Sequence, residues 1–252
     1  MEFSREERTA IIMLGIVAGF VISLDQVVTL KGTLISIDYT KGLGFMLLAM
    51  IGMVISVYVH DASHKYVARS IGYFTHIQSY SWGLVAGSAA SLFTFGWIQF
   101  FTPNTCDLEA DPRARIAKFR KYEDWKQEAY IAAAGIVATA ALAIFLHSMW
   151  VWTDSLLIRK LMLGNIWLMV FSLLPFELFN LYSLRLLNTI PQLPQSDGLY
   201  LLHYSIYAWV FSATFVVSLS LLLAFFANPF LSVALIIATL TTLSLWWKYF
   251  NE

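Results

Sequence analysis

Seven apolar runs constrain this chain more than anything else in it. They cover residues 9–24, 42–60, 82–101, 129–152, 156–184, 206–227 and 230–247. As helix, each of the longer runs could cross a hydrocarbon core of about 30 Å. The first is short and would need help from Val27 to Leu30, or a thin patch of bilayer. Only 13% of the 252 residues are charged, against about 25% in an ordinary soluble domain. The expectation is an all-α polytopic membrane protein, one domain over 1–252, embedded in a lipid bilayer. Net charge is zero, so there is no electrostatic footprint for nucleic acid. Cys106 is the single cysteine, which excludes an internal disulfide. Arg5 and Arg8 precede the first run, but Glu2, Glu6 and Glu7 lie among them and no small-residue cleavage site follows. That run reads as a retained anchor rather than a signal peptide.

Segment 82–101, "WGLVAGSAASLFTFGWIQFF", mixes Gly and Ser with near-alternating bulky residues. That composition suits a backbone that dips into the protein and turns back. Charge supports this. If every run spans, Lys and Arg divide six to ten, with the larger share opposite the N-terminus. If 82–101 is re-entrant, twelve lie on the N-terminal side and Lys31, Lys41, Arg159 and Lys160 on the other. The second partition obeys the positive-inside rule far better. It predicts about six transmembrane helices plus one re-entrant segment, with room for a small β-hairpin. Both termini then face the cytosol in a multi-pass cell-membrane protein. Residues 102–128, with six basic and six acidic side chains, read as a solvated cytosolic loop with a short helix.

"VHDASHKYVARSIGY", residues 59–73, carries the clearest chemistry. His60 and His64 are four apart and share one face of a helix over about 42–72. Zinc accepts neutral imidazole nitrogens and carboxylate oxygens. In the usual helical arrangement, H-E-x-x-H, the Glu is a general base. Here Asp61 follows the first His. The pair reads either as two metal ligands or as two interfacial histidines at a helix end. A third ligand is needed, and Asp197 in "NTIPQLPQSDGLYLL" is the better candidate. Pro191 and Pro194 hold the chain extended, and Gly198 permits a tight turn beside the carboxylate. Glu177, after Pro175 in an apolar run, is the rival. His76 and His147 read as interfacial. His203 reads as a surface residue or as a partner of the site.

Four stretches together resemble the site-2 protease family of intramembrane zinc metalloproteases, above all its compact archaeal-type members. "FSREE" (3–7) resembles a frequent opening of those proteins, and residues 59–73 resemble their metal helix almost position by position. "IAAAGIVAT" (131–139) resembles the family's A-G-P-x-x-N segment. "NTIPQLPQSDG" (188–198) resembles its N-x-x-P-x-x-P-x-D-G ligand motif. Order and rough spacing hold over about residues 3–211.

The resemblance implies a Zn2+ cofactor on His60, His64 and Asp197. Asp61 would replace the catalytic Glu, and Asn188 would help hold substrate near the metal. It also implies a cytosol-facing active site and a transmembrane protein as substrate. The chain departs from the pattern at several places. Asp61 is one methylene short, and Ile136 and Thr139 stand where Pro and Asn are expected. One extra residue separates Pro194 from Asp197. A different alignment puts "SLLPFELFN" (172–180) on the ligand motif, with Asn180 in place of its Asp. Two further readings follow from these residues. One is a catalytically impaired pseudoprotease that binds membrane helices. The other is a small ion-coupled transporter with Glu177 and Asp197 on its path and 82–101 spanning fully.

Overall fold

Ser4 and Glu7 start the first helix. Ser4 Oγ accepts from the Glu7 amide at 3.1 Å, and Glu7 Oε2 accepts from the Ser4 amide at 2.7 Å. This reciprocal cap opens α1 at Arg5, ahead of the apolar run, and α1 continues to Val27. Its 23 residues extend about 34 Å. The expectation of a short first span is therefore corrected: no thinned bilayer is needed. The structure, a computed structural model, describes residues 2–31, 34–37, 39–110, 125–175, 196–226 and 234.

Strands β1 (Val28–Lys31) and β2 (Leu34–Ile37) pair antiparallel and lead into α2 (Tyr39–Ser70). Next come β3 (Tyr73–Gln78), α3 (Ser81–Phe93) and β4 (Thr105–Ala110). The remaining elements are α4 (Trp125–Thr153), α5 (Leu156–Leu173), α6 (Asp197–Tyr204) and α7 (Ile206–Phe225). Among the described residues, five helices are long and apolar enough to cross a membrane: α1, α2 from Gly42, α4, α5 and α7. The run at 230–247 lies outside the described residues, apart from residue 234.

Small residues set the packing of α1 on α2. Gly15 and Gly19 form a G-x-x-x-G pair, and a Cβ on either would overlap the backbone of α2 at Val54 or Met50. Bare glycine lets two helices approach this closely in an apolar medium. One core joins Leu14, Ile22, Met53, Leu84, Phe101 and Leu168. A second joins Ile136, Ala140, Met162, Ile166, Leu201 and Val216. The far face of α2 exposes Leu47, Ile51, Ile55 and Tyr58, an apolar stripe at i+4 and i+3 spacing suited to lipid.

Segment 82–101 is not a single span. With 13 residues, α3 reaches about 20 Å. Phe95 and Gly96 then turn the chain with φ of 52° and 83°. Gly96 lies against the backbone of Asp25, where a Cβ would collide, and Ser91 Oγ donates to Val21 O. The turn therefore sits beside the far end of α1. The chain then comes back, and β4 pairs with β3 in the register Gln78↔Thr105 to Tyr73↔Ala110. Because Gln78 and Thr105 are paired, the segment between them leaves and returns at one end of the bundle. The 102–128 stretch is thus not wholly loop: 105–110 is strand and α4 starts at Trp125. Residues 111–124, where a short helix is expected, lie outside the described residues.

Candidate metal centre

Helix α2 runs unbroken through residues 60–64, so the four-residue spacing puts both imidazoles on one face. Their rings meet edge-on with centroids 4.7 Å apart. Each is about 2% exposed, so neither sits at an interface. Helix α4 closes over them at Gly135. A Cβ there would overlap His64 Nε2 and Cε1 and press on His60 Cε1.

Two hydrogen bonds assign the ring protons. His64 Nδ1 lies 2.7 Å from Ile131 O; a carbonyl only accepts, so Nδ1 carries the proton. Thr139 Oγ1 gives its single proton to Gly135 O at 2.9 Å. Its oxygen therefore accepts from His60 Nδ1–H at 2.8 Å. With Nδ1 so engaged, each ring turns its Nε2 toward one point. Such bonds to the distal nitrogen fix the orientation of metal-binding histidines. Thr139, a departure from the family-like motif, fills this role.

Asp197 completes the group. It is the first residue of α6, after Ser196. The reason for Asp-Gly differs from the expected tight turn: Gly198 is helical, and a Cβ on it would strike the Leu173 carbonyl. Glycine here lets the start of α6 press on the end of α5. Asp197 Oδ2 stands 3.4 Å from each Nε2, and the two Nε2 atoms are 3.2 Å apart. Tetrahedral ligands bound at about 2.0–2.1 Å lie about 3.3–3.4 Å from one another. Among the described residues, His60, His64 and Asp197 form a buried group that could hold a metal ion. Burial pushes the Asp197 carboxyl up, but the two histidines more than reverse this and hold it at about 2.

Asp61 is 2% exposed and lies outside that ligand group. Its Oδ2 accepts from Asn104 Nδ2 at 2.7 Å. Sequence reading missed Asn104; no motif marks it. Cys106 on β4 is buried, and burial pushes its thiol well above the ordinary range.

Two contacts hold the sheet against the centre. Glu7 Oε2 pairs with Lys65 Nζ at 2.6 Å, and Glu7 Oε1 accepts from the Ile77 amide at 3.4 Å. Lys65 also lies over the Phe3 ring, 4.5 Å from its centroid. The "FSREE" opening thus ties α1 to the metal helix and to β3. The Ser4–Glu7 capping spacing was its legible signal. Since the Ile77 amide points away from β4, its opposite residue Cys106 also points outward. There Tyr200 Oη, from α6, donates to Cys106 O at 3.2 Å.

Other expected residues fall elsewhere. Asn188, Glu177 and Asn180 lie outside the described residues. His147 is fully buried within the protein and donates through Nε2 to Phe226 O at 2.7 Å. His76 is exposed, 3.6 Å from Glu109 across the sheet. His203 is exposed beside Trp125, ring centroids 4.9 Å apart. Compared with protein-family models, with curated proteins and with solved structures, the chain matches none.

Proposed function

We propose that this chain is an intramembrane zinc endopeptidase of site-2 protease type. It hydrolyses peptide bonds of membrane-embedded helices near the cytosolic face. The observation that carries this reading is the convergence of His60 Nε2, His64 Nε2 and Asp197 Oδ2, with the buried Asp61 beside them. Two imidazoles and one carboxylate suit zinc better than magnesium or calcium, which prefer all-oxygen shells. Bound zinc supplies Lewis acidity, polarising a carbonyl and bringing a water's pKa to about 7. His60, His64 and Asp197 hold the ion, and Thr139 and Ile131 orient the rings. Asp61 takes a proton from the attacking water and passes it to the leaving amine. A substrate helix must unwind to bare its carbonyls.

Zinc content tests the reading. Purified wild type in detergent is expected to hold about one zinc per chain, with His64→Ala and Asp197→Ala holding almost none. Absence of zinc from metal-replete wild type would end the protease reading, and the transporter reading predicts that indifference. Full zinc with no cleavage of any membrane-helix substrate would leave the pseudoprotease.

Orientation is tested separately. Glu109 is exposed on β4, and the native Cys106 is buried. A Glu109→Cys variant is expected to react with an impermeant maleimide in inverted vesicles but not in intact cells. Labelling of intact cells would place Glu109 outside and overturn the proposed orientation.

A further inference from the structure

We propose that Asn104 is a positioning residue for Asp61, holding a short carboxylate where proton transfer needs it; this rests on the protease reading above. An aspartate carboxylate reaches about 1–1.5 Å less far than a glutamate's. Its terminal torsion is also soft and roughly two-fold, so an unheld Asp61 would present either oxygen in many orientations. The Asn104 amide removes that freedom by donating to Oδ2 at 2.7 Å.

The amide is itself well anchored. Phe101 and Thr102 just before it are buried. Thr105 just after it begins β4, in register with Gln78. The sheet is tied to α1 and the metal helix through Glu7 and Lys65, and to α6 through Tyr200. Asn104 thus links the proposed base on α2 to strand β4.

Such a residue acts through Asp61, not through the metal or through substrate binding. In Asn104→Ala, kcat is expected to fall about 10- to 100-fold, with KM within about twofold and zinc content unchanged. In an Asp61→Asn background the same change should cost nothing further, because the group it positions is already gone. Asn104→Asp keeps the size but replaces the donor with a second carboxylate, and should lose at least as much.

Acetohydroxamate gives a readout that needs no turnover. It chelates the ion and passes its hydroxyl proton to a neighbouring carboxylate. Calorimetry should show its affinity for the zinc-loaded protein reduced about tenfold in Asn104→Ala and equally reduced in Asp61→Asn. Wild-type kinetics and hydroxamate affinity retained in Asn104→Ala would overturn the proposal. So would a loss that adds fully to that of Asp61→Asn, or loss of zinc from both well-folded Asn104 variants. If wild type binds zinc and hydroxamate yet cleaves nothing, the protease reading fails and the hydroxamate comparison alone decides Asn104's role. If wild type binds no zinc, both fail.

Discussion

Gly135→Ala is expected to strip zinc from the purified protein while leaving the helical bundle folded. The added Cβ would overlap His64 Nε2 and Cε1 and lie 2.8 Å from His60 Cε1. Helix α4 cannot back away to relieve this. Ile131, Ala132, Ile136 and Thr139 on its two adjoining turns are all buried, and two of them hold the imidazoles through their Nδ1 atoms. The rings must turn instead, and turning them breaks those hydrogen bonds and spreads the three ligand atoms. Loss of orienting partners alone costs about 10- to 100-fold in metal affinity; displaced ligand atoms should exceed that. Overpacking costs about 1–3 kcal/mol, so the variant should still fold. Metal analysis beside a thermal melt checks both halves. A Gly135→Ala protein that keeps full zinc would show that these three atoms are not where the ion binds.

Asp61→Asn is expected to do the opposite: keep the metal and lose the reaction. Asp61 lies outside the group of atoms able to share one ion, so zinc content should match wild type. Its amide replacement cannot accept the proton that peptide hydrolysis must move, and general-base catalysis contributes about 10²- to 10⁴-fold. Folding stability should hold, because Asn at 61 can still accept from Asn104 through its amide oxygen. Single-turnover cleavage of a membrane-helix substrate gives the rate. Zinc loss in Asp61→Asn would make Asp61 a ligand instead of a base; wild-type turnover would remove it from the mechanism.

The sequence by itself determined what local periodicity and transfer free energy control. The apolar runs at 42–60, 129–152 and 206–227 became membrane-length helices, and four-residue spacing had to put His60 and His64 on one face. Both follow from the pitch of a single helix, which needs no knowledge of the rest of the chain. The turned-back 82–101 segment was legible in its composition and charge partition. What establishes it is the pairing of Gln78 with Thr105, a contact between segments far apart in the chain. Tertiary structure also decided what the site is made of. It brought Asp197 to the two imidazoles by pressing Gly198 onto the end of α5. It set Thr139, 79 residues from His60, and Asn104, 43 residues from Asp61, within hydrogen-bonding distance. No spacing rule marks such partners, because they depend on which faces of separate helices and strands dock. The missing side chain of Gly135 belongs to the same class: a glycine in an apolar helix reads as filler until the helix opposite places two histidines against it.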